Sequence, residues 1–423
     1  MLKVELQTGE ISDVFIRFRE VVDERYWLKR LSFIKKSTRD HLFLKNYLIE
    51  ENAIAIALAR CSNLVAQHGH IPVHETENHE LYPAISLAAQ VLSIMEHSSG
   101  VEATKLVQRI RGAFQRPDSM RAIQLEMIAA THFVQRGHQI IWPEMEGIGT
   151  FDLLVKDLGT NGLEVECKSI SFDKGRKIHR REALEFHQLV KLQLQTFSQN
   201  LQTGIAVVLT VPGRLPTSFQ QKMDLAKHVI SSVLAAQSMV LEDGSDIRVS
   251  EFDMATLGVL ETGGGSVISR EAREAIDQIT ATQNRESMIV GNKNGAVVFV
   301  LQSRQDDTML QYVFDTLSES AKKQVSKSKP AIFLVGFHSI KAEELLGIAK
   351  QDNDPKQPPT ALRVAASNFL ANQDRDHVVG VGFLSGSALN SEPHGAVKSG
   401  GIAYFFPKKE SSFWHENFRG LFS

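Results

Sequence analysis

From Thr150 to Ile170 the chain reads TFDLLVKDLGTNGLEVECKSI. Leu163, Val165 and Cys167 alternate with Glu164, Glu166 and Lys168, and Phe151, Leu153 and Val155 alternate with Asp152 and Leu154. A period of two is the signature of half-buried strands. Residues 157 to 162, Asp-Leu-Gly-Thr-Asn-Gly, supply the turn between them. The pattern therefore predicts a hairpin whose second arm carries Glu164, Glu166 and Lys168 on one face. Asp152 projects beside them if the two arms pair.

On either side the periodicity changes. Thr38 to Leu48, Glu51 to Gln67, Leu81 to His97 and Glu102 to Phe114 carry apolar residues at i, i+3, i+4 and i+7, the spacing of amphipathic helices, after a short first strand at Leu2 to Leu6. Gly69, Pro72 and Ser98-Ser99-Gly100 separate them. A further helix is predicted from Ser119 to Gln135, with Asp118 or Ser119 as cap and Gly137 as stop, then a strand from His138 to Trp142. After the hairpin come a helix at about Arg181 to Asn200, an apolar run at Gly204 to Val211 that suits a strand buried on both faces, a helix at Ser218 to Gln237 and a strand at Asp246 to Phe252. Thr262 to Ser266 reads as a flexible linker. Beyond it a second α/β region is predicted: strands Ala296 to Leu301, Pro330 to Phe337, His377 to Leu384 and Ile402 to Phe406, with helices Thr308 to Val325 and Ala361 to Asn372. In this region Val298, Val300 and Gln302 occupy the places of Glu164, Glu166 and Lys168, as in a repeat without chemistry; any alternation of helices and strands looks similar.

The fold class implied is α/β, a mixed sheet flanked by helices. The domains implied are a helical region at 1–115, a core at 116–260 and a C-terminal α/β region at 270–423 that serves recognition or assembly.

Composition narrows the partners. The chain has 423 residues, 43% hydrophobic and 23% charged, enough for two or three cores. Its formal net charge of -2 gives no global nucleic-acid signature, so a polyanion must be met by a local patch. Cys61 and Cys167 are too few for a disulfide framework, which suits a reducing, cytoplasmic setting. No apolar run approaches the roughly 20 residues of a membrane span, and the N-terminus does not read as a secretory signal.

Two carboxylates and an amine at one sheet edge are costly to desolvate unless a cation joins them. Mg²⁺ or Mn²⁺, which keeps several waters, suits Asp152 and Glu166, with position 167 in the same metal-binding set. Lys168 is then placed to orient or deprotonate an attacking water and to stabilise charge on a phosphorane. Asp152 followed fourteen residues later by Glu166-Cys167-Lys168 resembles the PD-(D/E)xK nuclease superfamily, the restriction-endonuclease-like fold, over about Arg121 to Val211. It departs from that pattern at Phe151, where the motif has proline.

The resemblance implies an αβββαβ core and a metal-dependent endonuclease, most readily a deoxyribonuclease of restriction, antiviral defence, mobile-element or repair systems. It also implies an assisting glutamate on the first core helix, Glu126, and a polar residue on the next helix, Gln188 or Lys191. Many relatives of that superfamily act as dimers or with a partner subunit. Glu144 and Glu146 can substitute as ligands. Lys174, Arg176, Lys177, Arg180 and Arg181 form the densest basic run, suited to gripping a phosphodiester backbone, and the partner expected is nucleic acid, DNA favoured over RNA. Lys322, Lys323, Lys327 and Lys329 make a second basic stripe. His68, His70, His74 and His79, with Glu75, Glu77 and Glu80, lack the cysteines and helical spacing of a zinc site and read as a solvated loop. The competing class is a non-catalytic protein with a nuclease-like core that binds nucleic acid or a partner. An amphipathic hairpin with solvated charges carries the same local pattern.

Overall fold

In the computed structural model the described residues are 5–39, 41, 43–76, 80–171, 173–257, 270–282, 286–292, 294–337, 340, 342–385, 388–392, 396–400 and 403–421. The expected linker at 262–266, His79 and the first residues of the expected N-terminal strand lie outside them. The N-terminal part runs β1 (Glu5–Gln7), α1 (Ile11–Val22), α2 (Arg25–Arg39), α3 (Leu44–Glu51), α4 (Ala53–His68), α5 (Val73–Thr76), α6 (Tyr82–Glu96) and α7 (Gly100–Ala113). The expected Thr38–Leu48 helix is thus two helices, and α1 and most of α2 are additions to the expected set. Ser99 and Glu102 fix the start of α7 as a reciprocal capping box, Ser99 N donating to Glu102 Oε2 at 2.8 Å.

The middle of the chain runs α8 (Pro117–Gln135), β2 (Ile140–Ile141), α9 (Pro143–Glu146), β3 (Leu153–Val155), β4 (Leu163–Ile170), α10 (Arg180–Ser198), β5 (Gly204–Val211), α11 (Phe219–Ala235), β6 (Met239–Val240), β7 (Asp246–Phe252), α12 (Arg270–Thr280), β8 (Glu286–Gly291) and β9 (Ala296–Ser303). The last part runs α13 (Met309–Lys323), β10 (Ala331–Phe337), α14 (Ala342–Asn353), α15 (Ala361–Leu370), β11 (Val378–Leu384), β12 (Ala388–Glu392), β13 (Ala396–Gly400) and β14 (Ala403–Pro407).

These elements form two compact units rather than three consecutive domains. The first comprises Met1–Phe33, Glu51–Lys174 and Met309–Ser423, the second Ile34–Glu50 and Gly175–Thr308. Strand pairing accounts for the division. The first unit holds a six-stranded mixed sheet, order β14-β11-β10-β4-β3-β2, in which β10 is parallel to β4 and to β11. The neighbour of β4 is therefore β10, not β5, the strand expected there. A parallel pair requires a crossover, and its helix in the first unit is α13. Residues 175–308 interrupt this unit in sequence, and their ends meet, Thr308 N donating to Gly175 O at 2.8 Å.

Turn chemistry and burial fix the hairpin. Gly159 and Gly162 have φ of 70° and 87°, where a side chain is strained, so β3 can return as β4. Leu163 and Val165 are fully buried on the face covered by α8 and α6, together with Ile332 and Leu334 of β10. Each such side chain contributes about 1.5–3 kcal/mol on burial. The opposite face carries Phe333, Val335 and Phe337, packed with α13 and α15. Glu166 is in register with Phe333 and Lys168 with Val335, so both acid and amine stand on the α13 side of the sheet.

The second unit has a five-stranded sheet, order β6-β7-β5-β9-β8, with β5 parallel to β9. Val207 and Leu209 of β5 pack with Phe186 and Val190 of α10, while Val208 joins Val298, Val300 and Ile276 on the other face. As its apolar run predicts, β5 is central and buried on both faces. A small antiparallel sheet, β1-β13-β12, belongs to the first unit.

Candidate active site

The geometry of the β3–β4 hairpin brings the acids together. Leu153 pairs with Val165, the last register pair before Asp152 on one arm and Glu166 on the other. The amide of Cys167 donates to Asp152 Oδ2 at 2.7 Å, which pins the aspartate against β4 beyond the end of its own strand. Glu166 is 1% exposed. Its Oε1 accepts from Lys168 Nζ at 2.6 Å, while its buried Oε2 has no hydrogen-bond partner. Lys168 also donates to Gln324 Oε1 at 2.7 Å. The ammonium is thus held from two sides, by its own strand and by the connection from α13 to β10.

Two other buried carboxylates, Glu164 and Glu126, flank these residues. Glu164 accepts from Ser326 N at 2.6 Å and so anchors that connection. Glu126, 3% exposed on α8, is engaged through both oxygens by Arg109 of α7, with Arg109 Nη1 2.7 Å from Oε2. Cys167 is on the face that joins the α8 core. Its amide meets Asp152, and its buried thiol is raised by desolvation and by the charges of Asp152, Glu126 and Glu166.

Burial sets the electrostatics. Desolvation, followed by the charge of Asp152, pushes Glu166 up to about 8, against the opposing pull of Lys168. Desolvation and then Asp152 push Glu126 up to about 7, with Arg109 opposing. Asp152 itself is raised by burial despite the Cys167 amide, Lys168 and Arg109. Asp152, Glu166 and Glu126 against Lys168 and Arg109 leave this set one negative charge in excess when all are ionised. The exposed Glu144 adds to the field at Asp152 and Glu126; Glu146 is exposed as well.

A divalent cation fits this set. The buried Oε2 of Glu166 has no hydrogen-bond partner and is free to act as an oxygen donor once the carboxyl is ionised, and the charge excess of the ionised cluster has the right sign. Among the described residues no three His, Cys, Asp or Glu side chains form a ready-made metal cage. An ion here would rest on the carboxylates of Asp152 and Glu166 and keep its remaining ligands as water, the habit of Mg²⁺.

The expected basic residues behave differently. Lys174 stands over the Tyr312 ring at 5.5 Å in the first unit. Arg176 pairs with Glu286 at 2.7 Å and Asp307 at 3.7 Å, Arg180 with Glu50 at 2.6 Å, and Arg181 with Glu185 at 3.0 Å. Lys177 donates its backbone amide to Asp307 at 2.8 Å. These arginines are neutralised by local acids, because α3, α10 and β8 each bring a carboxylate to them. Gln188 is half-buried, and Lys191 lies over Phe43 at 4.4 Å. Both belong to α10 in the second unit, whereas the carboxylate cluster is built wholly within the first. The polar helix-end residue that meets Lys168 is Gln324, and the cation that meets Glu126 is Arg109. Neither stands out in sequence: the signal for Gln324 is the apolar run Ala331–Phe337 just after it, which by pattern alone belongs to the C-terminal α/β region.

Of the second basic stripe, Lys323 pairs with Glu319 at 2.5 Å, and Lys322 and Lys327 are exposed. His68, His70 and His74 are exposed, and Glu75 is held by Arg60 at 2.7 Å, in keeping with a solvated segment. Set against protein-family models, curated proteins and solved structures, the chain gives no match in any of the three comparisons.

Proposed function

We propose that the protein is a metal-dependent hydrolase of phosphodiester bonds, a nuclease acting on DNA in preference to RNA. The observation that carries the proposal is Asp152 held by the Cys167 amide next to Glu166, whose buried Oε2 has no partner and whose other oxygen accepts from Lys168, two residues on along the same strand. Support also comes from chain order. α8, β2, β3, β4, α13 and β10 follow the helix-strand-strand-strand-helix-strand sequence of the PD-(D/E)xK superfamily, with residues 175–308 interposed. Glu126 on α8 corresponds to that superfamily's assisting glutamate.

Asp152 and Glu166 would hold Mg²⁺ or Mn²⁺, which when bound polarises a phosphoryl oxygen and lowers the pKa of a coordinated water. Lys168 donates hydrogen bonds toward the same place and offers positive charge to the phosphorane. Gln324 fixes the ammonium, and Arg109 keeps Glu126 in position while offsetting its charge. The test is cleavage of supercoiled plasmid with Mg²⁺ or Mn²⁺. Asp152→Asn and Lys168→Met should each lower the rate by roughly 10²–10⁴-fold. Cleavage that persists in either variant, or in EDTA, rejects the site.

One observation favours a second reading, a non-catalytic nucleic-acid or partner scaffold: the ion pairs of Arg176, Arg180 and Arg181 occupy the groups assigned to the backbone. Calorimetric Mn²⁺ titration separates the two. Binding lost in Asp152→Asn supports the hydrolase, and DNA affinity without any metal binding supports the scaffold.

A further inference from the structure

α2 carries Arg25, Lys29, Arg30, Lys35, Lys36 and Arg39 and no aspartate or glutamate from end to end. At 100° per residue its positions sort cleanly. Trp27 and Ile34 point inward, 0% and 4% exposed. Lys29, Lys36 and Arg39 fall on the side away from them and Lys35 on the flank, and all four are exposed. Arg25 is tied to Asp23, and Arg30 donates to Asn52 at 2.6 Å, so these two are engaged. Among the described residues no carboxylate pairs with the outer four.

The contrast with other helices is what gives this face meaning. Several exposed cations elsewhere are matched one turn away, Arg181 by Glu185 on α10, Lys227 by Asp224 on α11 and Lys323 by Glu319 on α13, although Lys322 on α13 has no such match among the described residues. On α2 the one-turn neighbours are like charges, Lys35 with Arg39 and Lys36 with Arg39, an arrangement that is destabilising unless an external anion meets it.

We propose that the outer face of α2 is a docking surface for the backbone of duplex DNA. This deepens the nucleic-acid reading above and rests on it. Lys29 to Arg39 spans about 15 Å at 1.5 Å per residue, a length over which a duplex presents several phosphates. Single-stranded ligands call for open aromatic platforms. The one large aromatic side chain exposed on this face, Phe33, has the Arg30 guanidinium 4.8 Å from its ring centroid. A membrane surface would need the apolar side of the helix, and that side is committed to the core through Trp27 and Ile34.

The test is fluorescence anisotropy of a labelled duplex titrated with the full chain in EDTA at several salt concentrations. The variant is Lys29→Gln, Lys35→Gln, Lys36→Gln and Arg39→Gln together. Its affinity at low salt should fall at least tenfold, and the slope of log K against log salt should shrink by up to about 3–4, near 0.9 per lost phosphate contact. Circular dichroism should match the wild type. Superimposable slopes overturn the proposal, as does tighter binding of a single strand than of the duplex. An equal loss of affinity for phosphatidylserine vesicles overturns it too. Mn²⁺-dependent hydrolysis of bis(p-nitrophenyl) phosphate keeps the two readings apart: a small diester does not need α2, so the variant should match the wild type. A wild type that grips duplex through α2 yet hydrolyses no diester upholds this surface and sinks the catalytic reading.

Discussion

Replacing Glu166 by glutamine is the sharpest test of how the carboxylate cluster is held. Its carboxyl is raised from 4.5 to about 8, burial being the first cause and Asp152 the second. The folded protein therefore keeps a proton there at pH values where the unfolded chain has released it. Between about 4.5 and 8 the native state binds more protons, so stability is greatest on the acid side and falls as pH rises through that window. A tenfold change in acidity is about 1.4 kcal/mol, which makes the loss on the order of 3–5 kcal/mol between pH 5 and pH 8.5. Glutamine keeps the shape and cannot ionise. The Glu166→Gln variant should thus show less than half of that decline.

Trp27, Trp142 and Trp414 are the three tryptophans, and all lie in the first unit, so urea unfolding followed by tryptophan fluorescence in EDTA reports on this unit. Mg²⁺ should restore the wild type at pH 8.5 by mass action and leave Glu166→Gln little changed. Parallel pH profiles for the two proteins would refute the electrostatic account.

Further outcomes follow from the same contacts. Arg109→Leu strands Glu126 in the core and should cost about 3–5 kcal/mol, much of it recovered in the Arg109→Leu, Glu126→Leu double variant, as a urea double-mutant cycle would show. Gln324→Ala removes an acceptor of the Lys168 ammonium and should lower the stability of the first unit by about 1–2 kcal/mol and the plasmid cleavage rate by about tenfold. Gly162→Ala places a methyl 2.9 Å from Leu154 Cδ1 at φ 87°, so it should lower the unfolding midpoint by more than 1 kcal/mol, whereas Gly112→Ala, with nothing within 4 Å, should not.

The hairpin was legible because alternation and glycine placement are local. Leu163, Val165 and Cys167 face the core, and Gly159 and Gly162 take the positive φ the turn needs. The partner of β4 was not legible. Gly204–Val211 and Ala331–Phe337 are both apolar runs fit for a central strand, and nothing in either segment says which lies beside Glu166. That choice is made by tertiary packing between residues far apart in sequence. It carries the site with it: once β10 is the neighbour, α13 replaces α10 as the helix over the acids, and Gln324 replaces Gln188 and Lys191. The neutralisation of Arg176 is of the same kind, since Glu286 and Asp307 are more than a hundred residues away along the chain. The charged face of α2 is written in the sequence, but the apolar spacing predicts a helix only from Thr38, beyond all but the last of these cations.

The seven register pairs between β4 and β10 join residues such as Glu166 and Phe333, which leave the ribosome 167 residues apart. At about 5–20 residues per second, a nascent chain spends roughly ten to thirty seconds with the acid-bearing strand made and its parallel mate still unsynthesised. During that interval the interposed segment can fold and bring Gly175 to Thr308, shortening the span that remains to be closed. Assembly of the carboxylate cluster is thus timed by translation of a segment that contributes none of its side chains.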